Sequence, residues 1–368
     1  MFRALLVASL VAAPAFAWEV RKDSQGDVVR WERRVEFVLD RRFAEQLGLP
    51  GAPAAVTAAA VALSARTPAL EVTVRQGDRE AKLGYSRDTG AVNENSIVVL
   101  SVWPYESGNL AVTLVTLNAR TNVVLDADIA VNASEHDFII ADGPKAQDEK
   151  YDLQNTLTHE LGHALGLMHS KADELAVMFP SSAPGETCKR TLSADDIAGL
   201  VELYGTAAAK EVPQVGCSAA PRRLPLAVIG AVLLLAMKRR SRGSLKRVNR
   251  AAPSALSRAG LVLISVGASV AAAAEPNRPD VVDEIAWGEV VDTASRWLPD
   301  AHVIVTEVEV EVKKCIKGTC VERRVKVQVL GGRVGDIEQV VEHQPSPRRG
   351  SQVVLTTRSG RVRLAVFR

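Results

Sequence analysis

The sequence predicts a mixed α/β globular unit over residues 18–206, hydrophobic segments after it, and a small all-β unit over residues 275–368. Three observations predict this. Up to Gly205, apolar residues recur with period two in some stretches and with helical spacing in others. From Leu224 to Met237, and again from Ala259 to Ala274, the chain is almost entirely apolar or small. Beyond that it alternates in "VIVTEVEVEV", "VERRVKVQVL", "QVVLTT" and "RVRLAVF", the pattern of an antiparallel barrel or sandwich. A chain of 368 residues is long enough for about two such cores.

The N-terminus has the three parts of a secretory signal peptide over residues 1–17. Arg3 is its positive region, Leu5 to Val11 its apolar region, and Ala15-Phe16-Ala17 its cleavage site. The mature chain then starts at Trp18, in an oxidising compartment. Four cysteines are too few for a disulfide scaffold. Formal net charge is +2, so the total implies no nucleic-acid partner.

Within the first unit, Val28–Leu39 reads as a strand and Ala52–Arg66 as a helix ended by Thr67-Pro68. Strands follow at Leu70–Arg75, Ser96–Trp103, Leu110–Leu117 and Val123–Val131, the last two joined by the turn Asn118–Asn122. In Val123–Val131, Asp126 and Asp128 face away from the apolar side. They read as a solvated face; ligation of Ca2+ is the alternative. Tyr151–Leu165 reads as a helix with Leu153, Leu157, Leu161 and Leu165 on one stripe. A last helix, Ser193–Tyr204, has Ser193 as N-cap and Asp195 and Asp196 in its first turn, where the macrodipole favours negative charge.

The chemistry sits in "NTLTHELGHALGLMHS", Asn155 to Ser170. His159 and His163 are four apart, about 40° around a helix axis, so both imidazoles point one way. Glu160 lies beside such a metal rather than on it, where a base takes a proton from metal-held water. Gly166 lets the chain turn and bring His169 round as a third ligand. Three neutral imidazoles leave a tetrahedral Zn2+ one open position, as catalytic sites do.

The complete pattern His-Glu-x-x-His-x-x-Gly-x-x-His is the metzincin signature. With "HELGHALGLMHS", "VMFP" and "LSADDIAGLVELYG", residues 28–205 resemble the matrixins. The resemblance implies an α+β or α/β metzincin catalytic domain with a twisted, mostly parallel five-stranded sheet and three helices. It implies His159, His163 and His169 as ligands of one catalytic zinc, Glu160 as base, and Met178 as the Met-turn beneath the metal. A polypeptide substrate would add to a sheet edge supplied by Leu110–Val131, and Phe179–Thr191 would wall a side-chain pocket. The chain departs from the family in three ways. No cysteine precedes the motif, so a thiolate switch is not expected. His136 is the only earlier histidine and reads as a surface residue, so no second zinc is expected and Ca2+ is unsupported. Cys188, in the pocket-wall segment, reads as a plain or unpaired cysteine; reaching the zinc is the alternative.

Residues 207–223 read as a linker. Gly216-Cys217, the apolar run and the following arginines resemble C-terminal sorting signals of exported myxobacterial proteins, which makes Cys217 a processing site and residues 224–243 a membrane segment. The apolar run of fourteen residues is short against the usual span of about 20. From Lys238 to Arg258 stand eight basic residues and no acid, and residues 244–274 look like a second leader. Either two exported proteins are joined, or both runs insert as a hairpin with the basic loop inside. In the tail, Cys315 and Cys320 flank a hairpin connection and could close a local disulfide. His302 and His343 lie far apart and form no recognisable constellation. The expected function is a secreted or surface-anchored zinc endopeptidase. The alternative is a surface interaction protein with an inert metal site and a partner-binding β unit.

Overall fold

Strand propensity and helical amphipathicity place most elements of the first unit where the sequence has them. The computed structural model describes residues 18–205 and 283–366, apart from 24, 33, 68, 143–148, 172, 299–301, 321 and 359–360. The signal peptide, Cys217 and the two apolar segments over 224–243 and 244–274 lie outside the described residues. Among the described residues no helix is long and apolar enough to cross a membrane.

The first part runs β1 (Val35–Leu39), α1 (Phe43–Leu47), α2 (Ala52–Ser64), β2 (Val72–Gln76), β3 (Asn95–Leu100), β4 (Ala111–Asn118), β5 (Val123–Asn132), β6 (Phe138–Ile139), β7 (Tyr151–Asp152), α3 (Leu153–Ala164) and α4 (Ala194–Tyr204). The short α1 has no counterpart in the sequence reading; five residues are too few to show a helical period. Tyr151 and Asp152 are extended rather than helical. Asp152 instead caps α3, its Oδ1 accepting from Asn155 N at 2.8 Å, and the Arg190 guanidinium pairs with the same carboxylate. Ser193 and Asp196 form a reciprocal capping box at α4.

Strands β2, β1, β3 and β5 are mutually parallel, and β4 lies antiparallel to β5. These five strands are the expected sheet. The sheet does not stop there: β11 (Gly332–Val334) and β12 (Ile337–Val341), from the far end of the chain, extend it to seven in the order β11-β12-β4-β5-β3-β1-β2. β12 runs antiparallel to β4, pairing Ile337 with Asn118 through to Val341 with Leu114. The remaining tail strands, β8 (Glu284–Trp297), β9 (Ile304–Lys317), β10 (Arg324–Leu330), β13 (Gln352–Arg358) and β14 (Arg361–Val366), form a separate antiparallel sheet, β10-β9-β8-β13-β14. The tail is all-β, as its alternation predicts.

One face of the long sheet packs on α2, α3 and α4 around Phe37, Ile97, Leu153, Leu157, Leu161 and Leu203, all essentially solvent-free. The other face was expected to be solvated at Asp126 and Asp128. Both are instead fully buried. The segment from Ala81 to Tyr105, together with Val303, Leu330 and Val341 of the tail, covers that face around Val98, Val112 and Ala130. Alternation in a strand reports which residues share a face, not what covers it.

Candidate metal centre

Two turns of α3 carry the first two imidazoles, and buried leucines on the opposite side hold that helix against the core. The third arrives because the chain reverses at Gly166. Its φ is +104°, and a Cβ there would meet Val29 O at 3.1 Å, so only glycine serves. His163 Nδ1 donates to Leu167 O at 2.8 Å just beyond the turn. His159 Nδ1 donates to Val177 O at 2.7 Å.

Those two bonds fix the tautomers and leave both Nε2 atoms as acceptors. Nε2 of His163 then lies 3.1 Å from that of His159 and 3.2 Å from that of His169. The lone pairs of His159 and His163, facing one another at that range, repel unless a cation sits between them. Ligands about 2.0–2.1 Å from a tetrahedral zinc stand roughly 3.3 Å apart, so the donor set fits the ion. Burial pushes the His159 pKa down to about 4 and that of His169 to about 2, and carries His163 in the same direction. All three are neutral near pH 7, the state a metal requires.

The turn that the sequence marks by Met178 packs against α3 at Gly162. The methionine side chain is buried there, and a Cβ at Gly162 would fall 2.5 Å from the sulfur. Asp196 holds the turn, accepting from Val177 N at 2.8 Å and Met178 N at 3.0 Å while its carboxylate also serves the cap of α4. The sequence reading gives Asp196 only a role in its own helix; the reach back to residue 177 is a tertiary contact.

Glu160 is buried beside the imidazoles. Its Oε2 accepts from Thr113 Oγ1 at 2.6 Å, which steers the carboxylate and leaves Oε1 toward His343. Burial pushes its pKa up, but His343 and His159 outweigh that and hold it below the ordinary glutamate value. A cleft of about 190 Å³ opens beside it, lined by Leu110, Ala111, Tyr151, Phe179, Ser182 and Lys189 among others. The segment expected to wall a pocket therefore does so through Phe179 to Ser182 and Lys189. Cys188 is disulfide-bonded, not unpaired, and so is not available to a metal. His136 is half-buried, edge-on to Tyr151 at 5.4 Å between ring centroids.

The residue the sequence did not bring here is His343. The tail was expected to hold no site, yet the four imidazoles of His159, His163, His169 and His343 place one ligand atom each within 4.8 Å of one another. His343 Nε2 also stands 3.5 Å from Glu160 Oε1, and its ring lies nearly parallel to that of His159. The preceding residue, Glu342, is buried and ion-paired with Arg21, whose guanidinium donates to His163 O at 3.1 Å as well. No motif marks these residues; they arrive through a strand pairing across more than two hundred positions. Elsewhere in the tail, Cys315 and Cys320 are bonded to each other. Asp126 and Asp128 form only a pair, and among the described residues no other group of three or more metal-ligating side chains converges.

Known proteins share the first part of this arrangement. Residues 104–205 match the Matrixin family of peptidases. That matrixin-like stretch spans β4, β5, α3, the Met178 turn and α4. A 69-residue segment is 48% identical to Metalloendoproteinase 1-MMP of Arabidopsis thaliana, covering 18% of each chain. A 48-residue segment is 52% identical to human Matrilysin, covering 13% of this chain and 18% of that one. A 68-residue segment is 38% identical to human Matrix metalloproteinase-26, covering 18% of this chain and 26% of that one. The chain thus spans about a fifth to a quarter of the length of these relatives. The solved structure of metalloproteinase-II from Bacteroides fragilis aligns with a TM-score of 0.27 at 12% identity over 51% of this chain and 57% of that one, too slight a likeness to bear on the fold.

Proposed function

We propose that the chain is a zinc-dependent endopeptidase of the matrixin type, exported from the cell, acting on polypeptides. The observation that supports this best is the convergence of three Nε2 atoms with the carboxylate of Glu160 alongside, within the stretch that matches the matrixins. Bound zinc would supply Lewis acidity, polarising a scissile carbonyl and making water a stronger acid. Glu160 takes the proton of the attacking water and returns it to the leaving amine. Thr113 keeps that carboxylate in one orientation. One zinc is the reading for the four-imidazole cluster; Ca2+ has no cluster to support it among the described residues. Surface anchoring through residues 224–243, with processing at Cys217, belongs to the same proposal and rests on the sequence pattern alone.

The fourth imidazole favours a second reading, a surface interaction protein whose metal is inert. Casein digestion distinguishes the two, run on the full chain and on the chain carrying His343→Asn so that a covered cleft is not mistaken for an inert one. The protease reading expects cleavage that a zinc chelator stops and that Glu160→Ala removes. Cleavage by the Glu160→Ala chain as fast as by its parent would sink the role given to Glu160.

A further inference from the structure

We propose that β12 and the turn after it are a built-in occupant of the substrate cleft, with His343 supplying a fourth imidazole that closes the metal's open position. This rests on the peptidase reading and adds the control of that same site. Without the tail strands, β4 would be the outer strand of the sheet, with a free row of N–H and C=O groups beside the metal site. An extended peptide would add there by main-chain pairing. β12 already occupies that row from Leu114 to Asn118, and Glu342 N continues the pairing to Thr113 O at 2.8 Å.

The chain then turns sharply. His343 has φ +63°, the left-handed region that few non-glycine residues enter and for which histidine is one of the better suited, and Gln344 N closes the turn on Val341 O at 3.2 Å. The turn is what drives the imidazole inward to the other three and to Glu160. One side chain therefore covers both the metal position and the base.

Three anchors hold this conformation. The Arg21–Glu342 pair is buried on both sides. Gln339, also buried, donates to Thr116 Oγ1 and His302 O and accepts from Ile304 N. Val341 packs in the cluster with Val112 and Leu114. A site closed by a fourth protein ligand is the arrangement of structural zinc, whereas a working peptidase keeps that position free. The described conformation is therefore the latent one, and activity requires residues 337–343 to leave the cleft.

The test loads the full chain with Co2+ as a coloured stand-in for zinc and titrates it with acetohydroxamate, a small anion that chelates an open metal. The wild-type spectrum is expected to be unmoved, while His343→Asn and His343→Gly give a saturable spectral change. Asparagine and glycine both accept the left-handed backbone, so these variants remove the imidazole and keep the turn. In parallel, a competing chelator is expected to take zinc from either variant about 10- to 100-fold more readily than from the wild type. If the wild-type chain takes up acetohydroxamate as well as the variants do, or the variants hold zinc as tightly, the proposal is overturned. That result leaves the peptidase reading untouched. Variants that open to acetohydroxamate yet never cut casein uphold the fourth ligand and count against the peptidase instead.

Discussion

Gly162 separates the two helical imidazoles, and replacing it with alanine sets two effects against each other. Alanine is the better helix former by about 1 kcal/mol. Its Cβ, however, would fall 2.5 Å from Met178 Sδ, 3.4 Å from its Cε and 3.7 Å from Leu167 Cδ1, where carbon contacts prefer roughly 3.5–4.0 Å. A thioether can swing aside, but this one is buried and its backbone is tied at both ends. Met178 N donates to Asp196 at 3.0 Å, and Met178 O accepts from Ser170 N at 2.9 Å. Overpacking of this kind costs about 1–3 kcal/mol, so Gly162→Ala is expected to destabilise by up to about 2 kcal/mol net. At about 2–4 °C per kcal/mol, thermal unfolding should drop by up to about 8 °C. Zinc affinity should fall too, because the displaced turn carries the Val177 carbonyl that orients His159. The control is the same substitution on a Met178→Ala background, where the methyl group has room and should stabilise by the full propensity difference. Calorimetry of the four chains gives the coupling directly. If Gly162→Ala raises the unfolding temperature in the wild-type background, Met178 is not packed under the helix and the account of the turn is wrong.

Thr113→Val removes the hydroxyl that steers Glu160. Hydrogen bonds to charged groups are worth about 1.5–3 kcal/mol, so, on a chain with an open cleft, kcat/KM should fall by about 10- to 100-fold with zinc affinity unchanged. Asp196→Ala should do the opposite, loosening Val177 and with it His159; zinc competition should show affinity lost by about 10- to 100-fold. Asp126→Asn tests the buried carboxyl pair. Burial raises Asp126 well above its usual pKa and Asp128 to about 7. Groups raised in the folded state favour folding most at low pH, and that contribution is lost as pH rises from about 4 through 7. Unfolding followed against pH should therefore show Asp126→Asn gaining on the wild type as pH rises from about 4 to neutrality. Glu342→Ala leaves Arg21 buried without its partner, and urea unfolding should show a loss of about 3–5 kcal/mol.

What was legible in the sequence is what is local. His159, Glu160 and His163 declare themselves because one helix turn sets their spacing, and Gly166 because only glycine makes the bend that follows. Ser193 announces a helix start because its cap lies three residues away. His343 has no such neighbour. Its place depends on β12 choosing β4, and "IEQVV" lacks even the alternation of the other tail strands, so nothing local names its partner. The burial of Asp126 and Asp128 is hidden for a related reason: what covers their face comes from Ala81, Leu83, Trp103 and Tyr105 and from the far end of the chain. Cys188 likewise could not be assigned from spacing, since a disulfide partner is a matter of where two backbones meet.

The strand on β4 also has a bearing on solubility. As the sheet stands, its outermost member on that side is β11, three residues long and carrying Arg333, a poor template for another chain. Take β11 and β12 away and the border becomes β4: eight residues, seven of them buried in the present structure, with apolar side chains on both faces. A long, flat, apolar border of that kind recruits further copies of itself. Any treatment that frees the cleft thus also bares a surface on which molecules can stack, and the opened protein is expected to need dilution, substrate or a partner to stay in solution.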